Sequence, residues 1–148
     1  MQQYMCGITK EKAGPGLTYR TDLPVPQIND DEVLIKVHVT AVCGTDVHIY
    51  DWDPWSACRV VPPMIVGHET AGDVVAIGRN VTQVQVGDRV SVETHIPCNH
   101  CYFCQHDHKE ICQHVALFGC TQDGAFAEYA KVRADSVFKL YDGLTYEQ

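Results

Sequence analysis

Residues 33 to 42, VLIKVHVTAV, alternate Val33, Ile35, Val37 and Val39 with Leu34, Lys36, His38 and Thr40. One face of this run is apolar and the other mixed, the pattern of a half-buried strand rich in β-branched residues. Further strand signals lie at 72–78, 88–93, 125–132 and 136–140. Turn signals separate them: Gly14-Pro15-Gly16, Asn29-Asp30-Asp31, Gly78-Arg79-Asn80, Gly87-Asp88 and Asp123-Gly124. Helical periodicity is weak, with short helices expected only over 44–50 and 105–112 and a helix start at Leu144–Gln148 capped by Thr145. Many short strands with frequent turns predict a mainly β fold, a barrel or sandwich with irregular loops and few short helices. The 148 residues suffice for one domain with a core, and no internal repeat is present.

One stretch has little apolar material for such a core. CNHCYFCQHDHKEIC, residues 98–112, holds Cys98, Cys101, Cys104 and Cys112 in the pattern C-x2-C-x2-C-x7-C. Two-residue gaps let thiolates converge on one ion, and the last cysteine closes a tetrahedron. Four thiolates with no open position make a structural zinc site, and the metal then substitutes for apolar packing. An iron–sulfur cluster is the competing reading. With four cysteines filling the tetrahedron, His100, His106, His108 and His114 read as solvated surface. Cys6, Cys58 and Cys120 have no partner spacing and read as free thiols.

A second concentration of chemistry is CGTDVHIYDWDPW, residues 43–55, which places a thiol, a hydroxyl and an imidazole at Cys43, Thr45 and His48. GHE follows at 67–69. Thiolate, imidazole and carboxylate are each competent zinc ligands, and three protein ligands with an open position is the catalytic arrangement. Residue types alone leave this open, because Cys43 reads equally as a small buried apolar residue and His68 as a hydrogen-bonded core histidine. A helix starting near Gly44–Thr45 brings residues three apart to one side. Asp46 and Asp51 read as caps or loop acceptors. Trp52 and Trp55 suit a pocket lining, a subunit contact or a loop anchor.

The net charge of −8 argues against nucleic acid as a partner. No apolar run approaches the roughly 18 residues of a membrane span, and MQQYMCGITKEK lacks the features of a secretory signal. A cytoplasmic location without membrane contact is expected, where clustered thiols bind metal rather than pair.

CGTDVHIY, GHETAGDVVAIGRNV, VGDRV and the four-cysteine lobe occur in the order seen in zinc-dependent medium-chain alcohol dehydrogenases. Over nearly its whole length the chain resembles their N-terminal catalytic domain, the GroES-like β-barrel. Within that family HIYDWDPW and ETHIPCNHC are most similar to the threonine dehydrogenase branch, while sorbitol and butanediol dehydrogenases share the zinc motifs. The resemblance implies catalytic zinc ligation by Cys43, His68 and Glu69, a proton relay through Thr45 and His48, structural zinc on the cysteines of a 96–114 lobe, and a substrate contact at His95. It implies NAD as hydride acceptor, a small-molecule alcohol as substrate and a dimer or tetramer of the full-length protein.

The dinucleotide fingerprint G-x-G-x-x-G is absent, since Gly14-Pro15-Gly16 is followed by Tyr19 at the third glycine position. The expectation is one catalytic domain over 1–148, cut from a longer protein whose Rossmann domain lies elsewhere and inactive without it. The alternatives are a polyol dehydrogenase of the sorbitol or butanediol type and a non-catalytic, zinc-stabilised interaction module, since folds host unrelated functions.

Overall fold

The alternating run at 33–42 forms the longest strand of the computed structural model, which describes residues 3–148. In chain order the first half comprises β1 (Tyr4–Lys10), β2 (Thr18–Pro24), β3 (Glu32–Ala41), helix α1 (Gly44–Asp51), helix α2 (Pro54–Ala57), β4 (Met64–Ile65) and β5 (Glu69–Ile77). The second half comprises β6 (Arg89–Val92), β7 (His95–Ile96), helix α3 (Tyr102–Gln105), β8 (Ala116–Leu117), β9 (Tyr129–Arg133) and β10 (Val137–Lys139). Two single 3-10 turns lie at Lys109–Ile111 and Ala134–Ser136.

Strand β3 pairs antiparallel with β5 on one side and β9 on the other, within a sheet ordered β10-β6-β5-β3-β9. A second sheet runs β2-β1-β4, and β7 and β8 form a small ribbon. Residues 125–128 join the two larger sheets. Ile8 N–H donates to Phe126 O at 2.7 Å, Phe126 N–H to Val66 O at 2.9 Å, and Gly7 bridges Ala127. The result is mainly β with few helices, as expected, and takes the form of a curled half-barrel. Its interior holds Val33, Ile35, Val74, Val90, Phe118, Val132 and Val137. Among the described residues no helix is long and apolar enough to cross a membrane.

The burial of β3 decides where the site goes. Val33, Leu34 and Ile35 are buried, and burial fades toward exposed Thr40 and Ala41. The strand therefore leaves the core at its C-terminal end and delivers Cys43 to the surface of the barrel. Antiparallel register sets Ala41 opposite Glu69 and Thr40 opposite Thr70. Residues remote in sequence thus become neighbours without any local motif.

Three expected elements differ. Strand β9 begins only at Tyr129, because the backbone before it bonds across to Cys6, Ile8, Val66 and Gly67 rather than continuing one ladder. The helix expected over 105–112 is instead α3 and a 3-10 turn, interrupted at Asp107, whose φ of 60° is left-handed. No helix forms at 144–148. There Thr145 N–H bonds the Gln148 side chain at 2.9 Å, and Tyr146 stacks on His38 and donates to Asp73. Strands β1 and β2 carry no clean alternation and form through mutual pairing, with a register shift between Met5 and Gly7.

Candidate catalytic and metal centres

Cys43 is the N-cap of α1, in extended backbone conformation. Its N–H donates to Asp46 Oδ2 at 2.9 Å, and its carbonyl accepts from Asp46 N–H at 3.1 Å. An acidic residue in the first turn suits the positive end of the helix. The far end is held by Lys10, fully buried, whose ammonium donates to Ile49 O at 2.7 Å and Gly16 O at 3.0 Å and lies 4.8 Å from the Trp52 ring centre. Burial pulls the Lys10 pKa down, opposed by nearby Asp51. Ile49 is fully buried, in a cluster with Val60, Met64, Val66 and Cys120 against which Trp52 and Trp55 pack. Both tryptophans therefore anchor the helix to the barrel.

The second contributor is the start of β5. Gly67 has φ +89°, and a Cβ there would sit 2.1 Å from Phe126 Cδ1. Only glycine allows the chain to turn so tightly under that ring. The turn leaves His68 buried and Glu69 exposed. Cys43 Sγ, a His68 ring nitrogen and a Glu69 carboxylate oxygen lie within 4.8 Å of one another. One ion with bonds of roughly 2.0–2.3 Å is within reach of all three. Asp46 Oδ1 and His68 Nδ1 are buried without a hydrogen-bond partner and stand 3.7 Å apart. A carboxylate beside the free nitrogen of a metal-binding histidine is the arrangement that orients such ligands. Asp46, expected as a cap or loop acceptor, thus bonds the Cys43 backbone and stands beside His68. The donor set and these two buried atoms fit a zinc ion.

Thr45 Oγ1 is 3.8 Å from Cys43 Sγ. His48, one turn on, has a side chain 58% exposed, with Nδ1 2.6 Å from Asp53 Oδ2. Thr45 and His48 therefore lie on the helix that Cys43 caps, running from the ligand group toward solvent. Asp53 was not singled out by spacing. The available signal was an aspartate immediately before Pro54, a helix-start signature.

The four-cysteine lobe is self-contained. The Sγ atoms of Cys98, Cys101, Cys104 and Cys112 lie within 4.8 Å of one another, with Cys98–Cys104 and Cys101–Cys112 at 3.9 Å. Zinc–sulfur bonds of 2.3 Å imply a tetrahedron edge of ~3.8 Å. The spacing suits one ion and leaves no room for a multinuclear iron–sulfur cluster. Cys98 N–H and His114 N–H donate to Cys112 Sγ at 3.3 and 3.4 Å, and Cys101 N–H donates to Cys98 Sγ at 3.3 Å. Backbone N–H groups of Cys104 and Gln113 pull the Cys101 thiol down to about 6, while burial and the adjacent thiols push Cys104 up to about 12. Thiolates packed this closely oppose one another's ionisation, and a divalent cation removes that penalty. His100, His106, His108 and His114 are exposed, as expected.

His95 is exposed on β7, its N–H and Nδ1 both on Glu93 Oε1 at 3.0 and 3.1 Å. Preceding Thr94 donates its hydroxyl to His68 O at 3.3 Å, which ties this ribbon to the ligand turn.

The family described as alcohol dehydrogenase GroES-like domain matches residues 29–142. The L-threonine 3-dehydrogenase of Symbiobacterium thermophilum is 49% identical over 138 residues, 93% of this chain and 39% of that protein. Its counterpart from Pyrococcus horikoshii is 48% identical over 139 residues, 94% of this chain and 40% of that protein. Among solved structures, a Sinorhizobium meliloti 1021 protein described as a zinc-binding dehydrogenase, bound to NADP, superposes with a TM-score of 0.87 at 30% identity. That match covers 98% of this chain and 41% of the other. An Escherichia coli CFT073 protein described as a short chain alcohol dehydrogenase, in complex with NADH, gives 0.87 at 32% identity, covering 99% and 41%. The chain spans about two fifths of the length of the curated relatives it matches. On fold, motif order and the match over most of its residues, the chain belongs to the alcohol dehydrogenase GroES-like domain family.

Proposed function

We propose that residues 1–148 are the catalytic domain of a zinc-dependent, NAD-linked dehydrogenase that oxidises a secondary alcohol, the 3-hydroxyl of L-threonine before the polyols sorbitol and butanediol. The observation that carries this reading is the meeting of Cys43, His68 and Glu69 at the cap of the helix that also bears Thr45 and His48. A protein that only docks partners has no use for that combination. The preference for threonine rests on the names of the relatives at 48–49% identity.

Oxidation removes a proton from the alcohol oxygen and a hydride from its carbon. Zinc held by Cys43, His68 and Glu69 would supply Lewis acidity that favours loss of that proton near neutral pH. The proton then needs a path from the cleft. The Thr45 hydroxyl accepts and donates through one oxygen. His48, at the exposed end, takes the proton on and releases it to water. His95 offers a polar group for the substrate. NAD, held by a coenzyme-binding domain in another part of the full-length protein, would supply the hydride acceptor.

The test is NAD-dependent turnover of the full-length protein with threonine, sorbitol and butanediol, alongside Cys43→Ala. Threonine should be oxidised with the highest kcat/KM, and Cys43→Ala should abolish turnover while the four-cysteine lobe keeps its zinc. Full activity in Cys43→Ala overturns the catalytic assignment, and a higher kcat/KM for either diol or polyol moves the substrate.

A further inference from the structure

We propose that Asp53 is the positioning residue of the relay histidine: its carboxylate keeps the proton of neutral His48 on Nδ1 and so presents Nε2 as the basic nitrogen. The inference rests on the relay reading of His48 given above. A neutral imidazole carries one donor and one acceptor nitrogen, and the partner of one decides the character of the other. His48 Nδ1 stands 2.6 Å from Asp53 Oδ2. An ionised carboxylate can only accept, so Nδ1 must be the donor.

Both oxygens of Asp53 are committed. Oδ1 accepts from Ser56 N–H at 2.9 Å, which makes Asp53 the N-cap of α2. Pro54 follows at the first helical position, where its ring presets φ. The carboxylate is therefore fixed by the backbone that follows it and is not a mobile surface partner. The Ser56 N–H first, then the His48 ring, hold the Asp53 carboxyl below the usual carboxylate range, so it is ionised at neutral pH. The Trp55 ring lies 5.9 Å from the imidazole at 46°, and the Arg59 guanidinium lies 5.0 Å from the centre of that indole. The imidazole is thus framed by an anion and an indole, and Nε2 remains for the proton coming from Thr45.

Substitution at Asp53 can separate the cap from the tautomer. Asparagine caps helices as well as aspartate and serine nearly so. In Asp53→Asn the amide oxygen still caps α2, but the group facing His48 becomes an NH2 donor. Nδ1 must then accept, and the proton moves to Nε2. The measurement is the long-range proton–nitrogen spectrum of the 15N-labelled 148-residue chain, loaded with zinc, at a pH above the titration of its histidines. The wild type should show a protonated Nδ1 and a bare Nε2 at His48, Asp53→Asn the reverse, and Asp53→Ser a mixture. A folded Asp53→Asn that retains the wild-type tautomer, or a wild type protonated on Nε2, overturns the proposal.

In the full-length protein Asp53→Asn should lower kcat with KM unchanged, by no more than the ~10²–10⁴-fold that a positioned proton carrier supplies. It should add no further loss in a His48→Gln background, because the two changes act through one ring. Full additivity overturns the coupling. Normal turnover of His48→Gln alone overturns the relay reading instead, and the two failures are distinguishable because the tautomer is read on the chain without turnover.

Discussion

The two cysteine-based centres are built in opposite ways. The lobe draws all four thiols from fifteen consecutive residues, with Cys98 in the loop before α3, Cys101 at its N-cap, Cys104 within it and Cys112 at the C-cap of the 3-10 turn, and Phe103 as its packed apolar neighbour. The Cys43 centre draws its ligand atoms from a helix cap, from His68 in the Gly67 turn and from Glu69 at the start of β5, brought together by the β3–β5 register. One site can assemble around an ion from a flexible segment. The other needs the barrel first, because Gly67, Phe126 and the cluster under α1 hold its parts. Local spacing thus yields an ion site that is stable and closed, whereas long-range pairing yields one with an open side and a helix leading to solvent.

That contrast can be broken from either end. The largest effect is expected at the lobe: Cys104→Ser should cost one of two zinc ions per chain and with it the order of residues 98–112. Zinc binding supplies ~10–16 kcal/mol in small zinc-folded peptides. Elemental analysis and amide exchange of the lobe check this, with the Cys43 centre keeping its zinc. Next, Thr45→Val should lower turnover of the full-length protein by ~10²–10⁴-fold, the range for a positioned proton carrier, with both zinc ions retained. A methyl replaces the hydroxyl, so the proton path is cut while the helix cap stands. Third, Ile49→Ala should destabilise the domain by about 2–5 kcal/mol, because the side chain is fully buried beneath α1. Denaturant unfolding reads this change, and zinc affinity should weaken at Cys43 but not in the lobe. The smallest is Asp46→Asn, expected to weaken zinc binding at the Cys43 centre by roughly 10–100-fold through loss of the charged neighbour of His68. Competition with a graded series of chelators would show one site shifted and the lobe unmoved. Equal weakening of both sites would end the claim that they are built independently.

Much of this was readable before the fold. The alternation at 33–42 marked the central strand because its apolar period matches the pleat. The C-x2-C-x2-C-x7-C spacing marked the lobe because consecutive turns set the reach of each thiol. Short helix 44–50 was expected from a start near Gly44–Thr45 that puts Thr45 and His48, three residues apart, on one side. The tail at 144–148 misled, since Thr145 has the chemistry of a cap, while Tyr146 is claimed by His38 and Asp73 across the sheet. Residues 125–128 read as a strand and instead join two sheets.

By itself, then, the sequence determined which residue types could hold an ion, where the chain turns and which strand is buried, all properties carried by near neighbours along the chain. Only the tertiary structure shows that Cys43 Sγ and a His68 ring nitrogen come within 4.8 Å, that Asp46 stands beside His68 and that Asp53 takes both His48 and the start of α2. Those facts depend on strand register and on how helices seat against the barrel, and side-chain spacing encodes neither.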